Sequence, residues 1–231
     1  MTDNNDADTA EPTASPDEAA ALQAAASVVP PVAVTPPARK RPKPGERRVQ
    51  ILETLATMLE LPGADRITTA ALAAKLDVSE AALYRHFASK AQMFEGLIEF
   101  IETSVFTLVN QIQEREPQPA AQVQKMLTVL LQFAEKNPGM ARVMVGDALV
   151  FENERLLTRM NAFFERFESQ LRQSLRGRAE DAGSATPTVD ANAQASVLTA
   201  FAVGRLQRFA RSGFKRSPVE HLDAALRMLA S

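Results

Sequence analysis

From residue 45 onward, apolar positions recur every three or four residues, the period of a helix buried along one face. Val49, Leu52, Leu55, Ala56 and Leu59 form one stripe and predict a helix from Gly45 to Leu61, stopped by Pro62-Gly63. Leu72, Ala73 and Leu76 give a short helix that Thr68 and Thr69 can cap. Asp77-Val78 breaks it, with Val78 as the apolar plug of a turn. Ser79 is an N-cap for a second short helix, Glu80 to Phe87. There Ala82, Leu83 and Phe87 point inward, and Ala81, Tyr84, Arg85 and His86 lie nearer the solvent. Ser89-Lys90-Ala91-Gln92 reads as a capping box opening a long helix. Its stripe is Phe94, Leu97, Ile98, Ile101, Val105, Leu108 and Ile112, ending at Glu116-Pro117.

The pattern continues in kind. Pro119 to Lys136 buries Val123, Leu127, Leu130, Leu131 and Ala134. Asn137-Pro138-Gly139 is a break, and Met140 to Phe151 is mostly apolar and expected inside. Leu156 to Arg176 is strongly amphipathic, with Leu157, Met160, Phe163, Phe164, Phe167, Leu171 and Leu175 along one side. Gly177 to Asp190 has the composition of a surface loop. Ala191 to Phe209 is rich in small residues (Ala193, Ala195, Ala200, Ala202, Gly204), which permit close helix approach. Ser217-Pro218-Val219-Glu220 signals the start of a last helix running to about Ala230. No strand signal and no internal repeat stand out. The class is all-α, with nine or ten helices.

Charge changes the picture at one end. Residues 1–38 hold six acids and no base, while residues 39–94 hold ten bases against six acids, a net of +4. A local excess of that kind can release phosphate counterions from a nucleic acid. Most of it sits in an arm, Arg39-Lys40-Arg41-Pro42-Lys43, followed by Arg47 and Arg48. Residues 1–43, rich in Ala, Pro, Thr, Asp and Val, predict a disordered tether with a basic end that lies along DNA or serves only as a solubilising linker. The folded remainder divides into a head, 44–92, and a helical body, 93–231.

Other chemistry is scarce. With no cysteine there is no disulfide, thiol nucleophile or thiolate metal site, which fits a reducing cytoplasm. Two histidines, His86 and His221, stand far apart without clustered carboxylates. No Gly-rich phosphate loop and no spaced Ser/His/Asp set occurs. The expected answer is no enzyme, no metal and no cofactor. The acidic N-terminus is unlike a secretory signal, and no run reaches the roughly 20 apolar residues of a membrane helix.

Two short helices around a tight turn are the form in which a recognition helix is offered to the DNA major groove. Tyr84, Arg85 and His86, with Lys90 just beyond, supply donors suited to phosphates.

These residues resemble the TetR superfamily of dimeric helical DNA-binding proteins. Three blocks narrow the likeness to the nucleoid occlusion factors: RITTAALAAKLDVSEAALYRHFASKAQMFEGLIEFIE, EKNPGMARVMVGDALVFENERLLTRMNAFFERFESQLRQSLR and GRLQRFARSGFKRSP. The likeness covers about Arg47 to Leu229. It implies a cytoplasmic, nucleoid-associated homodimer that binds palindromic double-stranded DNA, with the number of dimers per site left open. Bound there, such proteins antagonise polymers of the tubulin-like division protein FtsZ. The resemblance assigns DNA contact to Thr68, Thr69, Ser79, Ala81, Tyr84, His86 and Lys90. It assigns FtsZ contact to Phe100, Lys136 and Asn137, in a groove between the connecting helix and the next. Two positions depart from the family: Leu108 replaces an arginine and Gln132 a glycine. It places the dimer contact in two helices at about 191–209 and 218–230. The alternative is a ligand-responsive repressor of the same fold, with Met140, Met144 and the phenylalanines near 151–167 lining a pocket.

Overall fold

Nine α-helices and one short 3-10 turn follow one another along residues 45–61 and 66–229, the residues that this computed structural model describes, and no strand occurs among them. The predicted tail and the Pro62-Gly63 stop lie outside them. The helices are α1 (Glu46–Leu59), α2 (Thr69–Leu76), α3 (Glu80–Tyr84), α4 (Lys90–Arg115), α5 (Pro119–Lys136), α6 (Pro138–Met144), α7 (Glu154–Asp181), α8 (Pro187–Arg211) and α9 (Leu222–Leu229). The 3-10 turn, Asp147–Leu149, lies between α6 and α7.

The head is α1 to α3 with the start of α4. α1 buries Ile51, Leu55 and Leu59, each four residues on, and leaves Val49 exposed. This corrects the predicted stripe: Val49 lies two positions before Ile51, about 200° round the helix. Leu52 and Ala56 do pack against the core from its edge.

α4 carries the chain from head to body. Its buried stripe winds toward Phe106 and Val109 in the C-terminal half, so Leu108 stays exposed at the edge facing α5. α5 buries every residue predicted for it, and Met126 as well. α7 and α8 form the most extensively packed pair, with α5 laid against α7 and α8. Along α7, Leu156, Met160, Phe163, Phe167, Leu171 and Leu175 are buried, whereas Leu157 is exposed.

Three predicted segments come out differently. Gly177 to Asp190 is mostly helix, not loop. Gly177 is tolerated inside α7, where glycine costs about 1 kcal/mol relative to alanine. The true stop is Gly183 at φ 72: its N–H donates to Glu180 O and that of Ser184 to Ala179 O, the Schellman pattern. Pro187 opens α8 at its first turn. Met140 to Phe151 is buried as far as Leu149, but Val150 and Phe151 are exposed at 68% and 59%. Finally, the helix predicted at Ser217 begins only at Leu222. The Ser217 hydroxyl still accepts from Val219 N at 3.3 Å but opens only a turn: it also donates to Glu135 of α5, Arg205 Nη1 donates to Glu220 O at 2.6 Å, and His221 sits at φ 54. These tertiary contacts override a local cap, so the second helix expected at the dimer contact is short.

One close approach fixes head to body. A methyl added at Gly139 would lie 2.1 Å from the Ala56 carbonyl oxygen, so the backbone of α6 rests directly on α1. Beside it, Arg142 Nη1 donates to Leu61 O at 3.1 Å.

Candidate nucleic-acid interface and partner groove

The turn between α2 and α3 is three residues, Asp77, Val78 and Ser79. Thr68 Oγ1 accepts from Ala71 N at 3.1 Å and opens α2. Asp77, at φ 55, takes the left-handed role that glycine often fills; aspartate is among the residues that tolerate it. Val78 is half-buried against the core. Ser79 Oγ accepts from Ala82 N at 3.3 Å and opens α3, which ends at Tyr84 rather than Phe87. Leu83 and Phe87 are buried, whereas Ala81, Tyr84, Arg85 and His86 are exposed as expected.

Side chains then join the two helices across the outer face. Thr69 Oγ1 donates to Glu80 Oε2 at 2.5 Å, and Tyr84 donates to Thr69 Oγ1 at 3.5 Å. Arg48 lies over the Phe87 ring, 4.1 Å from its centroid, and donates to His86 O at 3.0 Å. This ties the root of the basic arm to the end of the recognition helix. Thr68, Thr69, Ser79, Ala81, Tyr84 and His86 thus lie on or beside the α2–α3 unit. Lys90 points elsewhere: its ammonium pairs with Glu152 of the body. The pairings made by Glu80, Arg48 and Glu152 are not legible in the sequence. Their partners lie eleven, thirty-eight and sixty-two residues away, and no local signal marks such pairs.

The second surface lies between α4 and α5. Phe100 is 47% exposed, its ring centroid 6.0 Å from that of Phe133. Lys136 is exposed at the end of α5. Asn137 is half-buried, its Nδ2 donating to Phe133 O at 2.7 Å. One face of α4 carries Phe100 and, two turns on, Leu108. There a crevice of about 240 Å³ is lined by Leu108, Ile112, Lys125 and Val129. The Glu116–Lys125 ion pair borders it. That hydrogen bond, then the Gln118 N–H, holds the Glu116 carboxyl below its ordinary range.

Met140, Met144, Phe163 and Phe167 are buried in the continuous core. None of them lines the crevices of the body, among which one of about 370 Å³ lies between α5, α7, α8 and α9. Among the described residues, no three His, Asp or Glu stand together where they could hold a metal ion. No helix among them is long and apolar enough to cross a membrane.

Known proteins match both parts. The family described as bacterial regulatory proteins, tetR family, matches residues 51–97, and the SlmA-like tetracyclin repressor-like C-terminal domain matches residues 118–231. The nucleoid occlusion factor SlmA of Aliivibrio fischeri is 50% identical over 191 residues, 82% of this chain and 97% of that protein. The SlmA of Photobacterium profundum is 50% identical over 190 residues, 82% and 96% of the two chains. Among solved structures, the fatty acid degradation regulator FadR of Bacillus halodurans superposes with a TM-score of 0.65 at 14% identity, covering 81% of this chain and 96% of that one. PfmR of Thermus thermophilus gives 0.64 at 20% identity, with 78% and 96% covered. These likenesses show a shared fold. The helix-turn-helix head and the matched body carry the assignment: the chain belongs to the SlmA family of nucleoid occlusion factors, DNA-binding members of the TetR family rather than enzymes.

Proposed function

We propose that this protein acts as a DNA-bound antagonist of FtsZ assembly, keeping the division ring from closing over the nucleoid. Two heads of a homodimer read a palindromic site through the face of α2 and α3. Thr68 and Ser79 sit at helix starts, where free backbone amides favour phosphate. Ala81 allows close approach to base edges, and Tyr84 and His86 add donors beyond it. The dimer contact is a stripe of α8: Val189, Ala193, Val197, Ala200 and Gly204 recur every three or four residues, all exposed in the single chain. The α4–α5 groove receives FtsZ, with Phe100, Lys136 and Asn137 in contact.

The observation that carries this reading is the exposure of Phe100. A phenylalanine left nearly half open beside a second ring gives the groove an aromatic anchor that a partner can cover, with Lys136 exposed three residues beyond that second ring on α5. Leu108 in place of the family arginine joins Ile112 and Val129 in an apolar strip at the far end of the groove, which an aliphatic side chain of the partner fits. Met140 and Met144 lie in the buried core and line none of the described crevices, which favours this reading over a ligand-released repressor.

Sedimentation of FtsZ polymers, with the protein and with or without its cognate duplex, tests the proposal. The DNA-bound form is expected to leave less FtsZ in the pellet. Lys136→Glu is expected to weaken FtsZ binding roughly tenfold or more by reversing a charge at the contact, while DNA affinity stays within about twofold. If Lys136→Glu and Phe100→Ala both leave FtsZ binding intact, the groove is not the contact.

A further inference from the structure

The head holds few cations outside the arm, and two of them are taken up by the body. Residues 150–153 lie between the 3-10 turn and α7. From there Glu152 pairs with Lys90, and the Phe151 ring receives the Arg66 guanidinium, 4.6 Å from its centroid. Arg66 immediately precedes the helix-turn-helix, and Lys90 is the first residue of α4 after it. Lys90 is an unfavourable choice there, because a cation opposes the positive end of the helix dipole. A carboxylate partner offsets that. The Glu152 side chain is only 11% exposed and that of Lys90 28%, so the pair is partly shielded from solvent.

The pair is the first of a row. Arg155 Nη2 lies 2.7 Å from Glu95, and Arg159 makes two hydrogen bonds to Glu102, at 2.6 and 3.0 Å. Those bonds hold the Arg159 guanidinium above its ordinary range, with Glu99 and Glu95 adding to the effect. Glu152 and the start of α7 are therefore fastened along α4 by three ion pairs, and the one at Lys90 reaches the head. Glu102 and Phe100 sit two residues apart on α4, about 200° round the helix. Glu102 therefore faces away from the groove, whereas Lys90, ten residues before Phe100, lies about 80° from it.

We propose that Glu152 is a latch on DNA affinity: it withholds Lys90 from the phosphate backbone, and a shift of α4 against α7 sets it free. The ligand of the freed ammonium is a duplex phosphate. The inference rests on the reading that Lys90 meets DNA.

A double-mutant cycle on the full-length protein decides it, with Glu152→Gln, Lys90→Gln and the double variant titrated by fluorescence anisotropy against a cognate duplex. Circular dichroism melts serve as the folding control. Glu152→Gln is expected to tighten binding by about two- to thirtyfold, since a pair of this exposure is worth a factor of roughly 1.4 to 5 and a dimer has two heads. Lys90→Gln should weaken binding less in the natural chain than in the Glu152→Gln background, where it also cancels the gain. Unchanged or weaker binding by Glu152→Gln overturns the latch. So does a gain that survives Lys90→Gln, which would reflect only a lost negative charge. Lys90→Gln silent in both backgrounds sinks the underlying reading of Lys90. Lys90→Gln costly in both, with Glu152→Gln silent, sinks the latch alone.

Discussion

Gly204→Glu is expected to leave the chain folded and make it a monomer. Nothing lies within 4 Å of where a Cβ would stand at Gly204, so the monomer gains no clash. Glutamate is also the better helix former by roughly 0.5–1 kcal/mol, so the melting temperature of the monomer should not fall. A two-fold interface takes the same patch from both copies, so two carboxylates would be buried where glycines let helices approach. A single head keeps only one half-site. Cognate DNA affinity should then drop at least about a hundredfold, toward the level of non-specific binding. Sedimentation equilibrium and a duplex titration check both parts. A stable dimer of Gly204→Glu would move the interface off this stripe of α8.

Gly139→Ala should damage the joint between head and body. The new methyl would press on the Ala56 carbonyl oxygen at 2.1 Å, and a backbone atom in the middle of α1 cannot swing aside as a side chain can. Overpacking of this kind costs about 3 kcal/mol, the upper end of the usual range, and the helix-propensity gain offsets only part of it. Gly96→Ala is the control. Its Cβ would meet the tip of Leu52 at 3.0 Å, and a leucine rotamer can give way, so a loss under about 1 kcal/mol is expected. Urea unfolding of the two variants gives the comparison. Equal midpoints for natural chain and Gly139→Ala would mean that α6 and α1 are not in direct contact in solution.

Much of the fold was legible because helix starts are local events. Thr68, Ser79 and Ser89 each accept a backbone N–H three residues on, and each opens the helix expected of it. The capping box at Ser89 is shifted by one: Gln92 Oε1 accepts from the N–H of Ala88. The errors fell where distant residues decide. Ser217 has the better local signal than Leu222, yet Glu135 and Arg205 claim that stretch. Val49 looks apolar enough to be inside, but only the position of α4 and α6 says which side of α1 is covered. Gly177 is a loop residue by composition and a helix residue because α7 lies along α5 and α8.

The candidate surfaces divide the same way. The spacing of the chain named the α2–α3 unit, and likeness to a family named Phe100 and Lys136. The outward set of Tyr84, the pairing of Thr69 with Glu80 and the half-open Phe100 ring required the fold.

The order of residues alone determined an all-helical chain with three capped helix starts in and just after the head, because caps and stripes depend on neighbours within four positions. Tertiary structure decided which face of each helix is dry, where α7 and α9 begin and end, and that Lys90 is held by Glu152. Those outcomes depend on packing and charge brought together across tens of residues, a scale on which one chain carries no periodic mark.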